Sequence, residues 1–127
     1  MSHFTTIKTK LAERQYLLAA LTDLGYAYRE GQVQIRGYGG NRTTAEIAVA
    51  TSNPGYDIGF TPGQDGYQLV ADWWGIRDIK QDELVAALTR RYAYHAARAS
   101  LEREGFALVS EESEIDGRIH LVLRRVA

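Results

Sequence analysis

Apolar residues recur at helical spacing in two stretches of the chain. Leu17, Leu21 and Leu24 stand at i, i+4 and i+7 with Leu18 beside them, which predicts a helix from about Ala12 to Leu24. Gly25 follows, the residue best suited to a left-handed helix stop. The second stretch runs from about Gln81 to Glu104, with Leu84, Leu88, Tyr92, His95 and Ala99 along one line, Asp82 and Glu83 near its start and Gly105 as its stop. At 1.5 Å per residue this helix is roughly 35 Å long, enough to cross a whole domain.

Elsewhere the pattern is that of short strands. Phe4 to Lys10, Tyr26 to Arg29, Gln32 to Arg36, Thr44 to Thr51, Tyr56 to Thr61, Tyr67 to Trp73, Phe106 to Glu111 and Arg118 to Arg124 read as strand segments. Glu30-Gly31, Gly39-Gly40, Pro54-Gly55, Asp65-Gly66 and Asp116-Gly117 separate them as turns, so most pairings are expected to be antiparallel hairpins. Ile119, Leu121 and Leu123 point one way, whereas Arg118, His120, Val122 and Arg124 point the other, as on a half-buried strand. The expected fold is therefore α+β, a single domain over residues 1–127, with an antiparallel sheet and two helices on one face. Leu21-Thr22-Asp23-Leu24-Gly25-Tyr26 and Leu101-Glu102-Arg103-Glu104-Gly105-Phe106 echo each other, which suggests a duplicated β-α-β-β unit. If the helices cover one face only, the other must meet water or pair with another chain.

Composition narrows the functions such a fold could serve. The chain of 127 residues is 45% hydrophobic and 24% charged, ordinary values for a globular protein. Its net charge of −1 gives no general attraction for phosphate backbones or anionic lipid. Cysteine is absent, which excludes disulfides, thiol nucleophiles and cysteine-ligated metals from this chain. No run of 18 apolar residues and no apolar leader occurs, so a cytoplasmic location without membrane contact is expected.

Candidate chemistry is sparse. Trp73 and Trp74 are adjacent at a strand end and should point to opposite sides, so that at most one enters the same core; closure of the core edge by both rings is the plainer reading and a partner or ligand platform the other, with Asp72 as a turn or capping residue. Arg91, Tyr94 and His95 share a helix face by i, i+3 and i+4 spacing, and Arg98 continues it. With Arg90, that face has the chemistry to bind phosphate or nucleic acid, but it equally suits packing and ion pairing. The loop from Arg36 to Arg42 is glycine-rich, yet it lacks the lysine and following helix of a P-loop. Asp57 has no evident carboxylate partner. His3, His95 and His120 lack the spacing of a preorganised metal site, so neither a metal nor a cofactor is expected. An enzymatic reading would require His3, Asp72 and His95 to gather around a pocket.

Several segments together carry a family resemblance. Met1-Ser2-His3-Phe4-Thr5-Thr6-Ile7-Lys8-Thr9, Tyr56-Asp57-Ile58-Gly59-Phe60, Leu69-Val70-Ala71-Asp72-Trp73-Trp74-Gly75 and Arg91-Tyr92-Ala93-Tyr94-His95 resemble the uncharacterised family containing hypothetical chloroplast reading frame thirty-five. The likeness spans nearly the whole chain and implies a soluble bacterial-type or plastid protein, with no catalytic residues to carry over. It favours His3, Asp57, Asp72, Trp73, Trp74, Tyr92, Tyr94 and His95 over Arg36 and Arg42 as members of a shared site. The leading functional expectation is a non-enzymatic protein-binding or adaptor module, self-association included, centred on Asp72, Trp73, Trp74, Arg91, Tyr94, His95 and Arg98. Nucleic-acid or phosphate binding through the Arg/Tyr helix face is the alternative, and a His/Asp enzyme the third reading.

Overall fold

The computed structural model describes residues 2–126. Five strands form one antiparallel sheet: β1 (Thr5–Lys8), β2 (Arg29–Arg36), β3 (Arg42–Ala50), β4 (Asp57–Pro62) and β5 (Tyr67–Ala71), in the order β1-β5-β4-β3-β2. Helices α1 (Arg14–Asp23) and α2 (Gln81–Arg103) pack on one face, and β6 (Phe106–Ser113) pairs with β7 (Ile119–Arg125) as a separate two-stranded ribbon. The α+β architecture expected from the sequence is present, with both helices on the expected side.

Alternation along the strands builds the main core. Ile47 lies opposite Phe60, Val49 opposite Ile58, and Phe60 opposite Leu69, so these side chains share the face that meets Leu17, Leu21, Leu84 and Leu88 of the helices. Helix α1 ends as its glycine predicts: Gly25 has φ of 83°, and the Gly25 and Tyr26 amides donate to the carbonyls of Thr22 and Leu21. Its start has no side-chain cap of its own. Instead the Tyr92 hydroxyl of α2 accepts from the Ala12 and Glu13 amides at 3.1 and 2.8 Å, which ties the two helices together. Arg14 then anchors α1 to the sheet through Glu30 and Glu46. Glu46 also accepts from the Tyr67 hydroxyl at 2.7 Å; burial first and this carboxylate second push the Tyr67 phenol up to about 12.

Three features depart from the expectations. Glu30-Gly31 is not a hairpin turn: β2 runs through it, and the register with β3 shifts between Glu30 and Val33, a bulge that Gly31 permits with φ of 102°. Secondly, part of the far face of the sheet is closed within the chain itself. Ile35, Ala45, Ala48 and Val70 are buried there as a second small core, with Phe4 and Val33 against it. Gly59 makes this feasible, because a β-carbon at that position would collide with Ala45 and Ile35. Thirdly, the order strand, helix, hairpin does recur, as β1-α1-β2-β3 and β5-α2-β6-β7, but only the first hairpin joins the sheet. The second ribbon packs instead along the C-terminal half of α2, from Arg90 onward, with Ile119, Leu121 and Leu123 half-buried and His120, Val122 and Arg124 exposed. No described helix is long and apolar enough to cross a membrane.

Candidate functional site

Two polar clusters stand out, one on each side of the sheet. The first grows from the ends of β4 and β5. Continuing the register past the Ile58 and Ala71 pair sets Asp57 beside Asp72, with both side chains on the face away from the helices. Both are fully buried. Asp57 is neutralised by Arg36: the guanidinium donates to its two oxygens at 3.0 and 3.1 Å, and the Arg36 amide adds a third bond at 2.8 Å. Asp57 in return holds the Arg36 guanidinium even more firmly protonated, by hydrogen bonding and then by charge.

Asp72 is held differently. Its Oδ2 accepts from the Ser2 hydroxyl and from the Tyr38 amide, both at 3.0 Å, while its Oδ1 is buried without a hydrogen-bond partner among the described residues. Gly37 fits between Phe4 and Asp72, where a β-carbon would come within 3.0 Å of the Phe4 ring and 3.2 Å of the Asp72 β-carbon. The chain beyond Asp72 turns through a short 3₁₀ segment, Trp73–Gly75, closed by the Gly75 and Ile76 amides on the carbonyls of Asp72 and Trp73. This turn sends the two tryptophans apart, as their adjacency predicts. Trp73 packs on the helix-side core, whereas Trp74 is 70% exposed and meets Tyr38, itself 40% exposed, edge to face at 5.7 Å between ring centroids. Gly75 locks the turn, since any side chain there would overlap the ring of Tyr56.

The second cluster lies on α2. Arg91 donates to Asp23 at the end of α1 at 2.8 Å, His95 meets the same carboxylate oxygen at 2.6 Å, and Arg91 also lies 4.4 Å above the Tyr94 ring. Burial of Asp23 opposes its ionisation, but the hydrogen bonds from His95 and Arg91 outweigh this and hold its carboxyl below the usual carboxylate range. Arg98 bonds Glu102 at 2.7 Å and the buried Tyr94 hydroxyl at 3.0 Å. Of the face expected to suit phosphate or nucleic acid, Arg91 ties α2 to Asp23 of α1 and lies 3.9 Å from Glu111 of β6, whereas Arg98 bonds within α2.

The expected site residues thus separate into two groups. Asp72 and Trp74 belong to the far-face corner, Trp73 to the core, and Arg91, Tyr94, His95 and Arg98 to the helix clamp. His3, Asp72 and His95 do not converge, because Asp72 faces Tyr38 and Ser2 on one side of the sheet and His95 faces Asp23 on the helix side. No group of three or more potential metal ligands occurs among the described residues. Met1, part of the opening segment, lies outside them. Sequence reasoning passed over Arg36, Tyr38, Ser2 and Phe4 as members of the corner. A signal for Arg36 existed in Asp57, a charge leading directly into the apolar Ile58-Gly59-Phe60 strand, which requires a cation from elsewhere in the chain.

Fold and corner together define an α+β protein in which buried carboxylates brace an exposed aromatic pair. The chain belongs to the family described as "Protein of unknown function (DUF1257)", which matches residues 20–122. It is similar to the uncharacterized protein ycf35 of Guillardia theta, 35% identical with 98% of each chain covered, and to those of Pyropia yezoensis and Cyanophora paradoxa, 31% and 30% identical at the same coverage. No solved structure matches the chain.

Proposed function

We propose that this protein is a non-enzymatic binding module that engages a protein partner, a second copy of the chain included, through Trp74 and Tyr38. The observation that carries the proposal is the 70% exposure of Trp74 on a turn that is otherwise rigidly built. A free indole costs solubility unless something covers it, and a Trp held in one orientation loses little entropy on docking. Covering its exposed area, on the order of 150 Å², is worth about 3–4 kcal/mol at about 25 cal/mol per Å², the scale of an interface hot spot. The buried Asp57 and Arg36 pair and the Asp72 hydrogen bonds supply the rigid support that such an anchor needs.

The experiment is site-specific photocrosslinking. A benzophenone amino acid, whose aromatic rings stand in for the indole, is placed at Trp74, or at the exposed control position Arg103, in the full chain expressed in the native cell type. The proposal expects an adduct of defined mass from position 74, absent from position 103 and competed by the untagged wild-type protein. Equal adducts from both positions would refute it.

A further inference from the structure

We infer that the corner is a cation-recognition site, in which Trp74 and Tyr38, beside the buried carboxylate of Asp72, receive the ammonium, methylammonium or guanidinium group of a lysine or arginine on the protein partner. This rests on the binding role proposed above and adds the chemistry of what is bound.

Three observations lead there. The first is charge. Asp57, Asp72 and Arg36 meet at one end of the sheet, and Arg36 commits its guanidinium to Asp57. Asp72 forms no ion pair among the described residues, and it lies in a dry, low-dielectric setting where its attraction for a cation is weakly screened. The second is the orphaned Asp72 Oδ1. A buried carboxylate oxygen with no donor is costly, and an approaching cation relieves that cost electrostatically even without displacing Ser2 from the neighbouring oxygen. The third is the pair of rings. An indole face and a phenol face are the groups that attract a cation through their quadrupoles, most strongly for Trp, and Tyr38 is tied to Asp72 by its own backbone amide. Carboxylate and aromatic surface therefore favour the same kind of ligand, and an anion or a neutral apolar group satisfies only part of the corner.

The test is a titration of the full-length protein with the amide of Nα-acetyl-Nε-trimethyllysine, against the isosteric amide whose quaternary nitrogen is replaced by carbon. The two indole N–H signals are followed by two-dimensional NMR and assigned with Trp74→Phe. A saturable shift of the Trp74 signal by the cation is expected, with at least tenfold weaker binding of the neutral isostere and loss of binding in Trp74→Ala. Asp72→Asn should weaken the cation at least threefold. If that variant does not fold, Tyr38→Ala, which keeps the backbone bond to Asp72, should weaken it comparably. Equal binding of the two ligands, no saturable shift, or full affinity in the folded Asp72→Asn or in Tyr38→Ala would overturn the inference. If the cation fails while the crosslink at position 74 forms, the cationic chemistry is wrong and the binding role stands; if both fail, both fall.

Discussion

Replacing Arg36 by methionine isolates the support beneath the aromatic pair. The substitution keeps the backbone amide that donates to Asp57 and most of the aliphatic stem, but removes the two guanidinium bonds at 3.0 and 3.1 Å. Charge-assisted bonds are worth about 1.5–3 kcal/mol each, and removing one partner of a buried ion pair leaves the other charge stranded. Asp57 is fully buried, yet the Arg36 side chain is 41% exposed, so water can enter its place and recover part of the loss. A net destabilisation of about 2–4 kcal/mol follows. With an unfolding entropy of about 2.1 cal/mol/K per residue, this corresponds to a fall in Tm of roughly 8–15 °C. Calorimetry and urea unfolding of Arg36→Met, Asp57→Asn and the double variant give the coupling directly. The double variant should be more stable than the sum of the single losses predicts. Strict additivity, or a loss below about 1 kcal/mol for Arg36→Met, would show that the pair does not support the sheet end as argued.

Other consequences follow from particular contacts. The Asp23 carboxyl is held below its usual range, so its contribution to stability is fully present above the unfolded carboxylate value near pH 4 and disappears as pH falls through the lower folded value. Urea unfolding of Asp23→Asn should accordingly show a flatter loss of stability than wild type in that acid window. Gly75→Ala forces a methyl group into the Tyr56 ring and should cost about 2–3 kcal/mol in urea unfolding, with a changed Trp fluorescence spectrum because the turn carrying Trp74 must shift. None of the described β6 or β7 residues is buried, so hydrogen exchange should release the amides of this ribbon well before those of β3, β4 and β5, as a separate opening unit.

Local chemistry made much of this fold legible in the sequence. The leucine spacing from Leu17 to Leu24 and the glycine stops at Gly25 and Gly105 place both helices to within about two residues, because these signals act over a single turn. The alternation of Ile119, Leu121 and Leu123 likewise gives the correct facing for β7. It does not reveal what those residues face, and the same pattern serves a strand in the main sheet or a ribbon packed under a helix. Glu30-Gly31 shows a different ambiguity, since a glycine at positive φ serves a turn and a bulge equally well. The corner was hidden for a third reason. Arg36 and Asp57 are 21 residues apart and pair with opposite ends of β3, at Arg42 and Ala50, so they meet only because the end of the β2–β3 hairpin folds over the far face and lays Ile35 on Gly59, whereas the clamp residues Arg91 and His95 lie on one helix turn and announced themselves by spacing alone. That spacing identified a cluster without indicating that Asp23 would satisfy it.

Competition for the adduct formed at position 74 tests the central claim most directly. Untagged wild-type protein is titrated against the crosslinking chain, in parallel with untagged Trp74→Ala whose fold is verified by its hydrogen-exchange pattern. Loss of a hot-spot Trp costs at least about 2 kcal/mol of binding, so Trp74→Ala should need roughly thirtyfold more protein than wild type to halve the adduct. Competition by Trp74→Ala at the same concentration as wild type would contradict the assignment of Trp74 as the anchor of the interface.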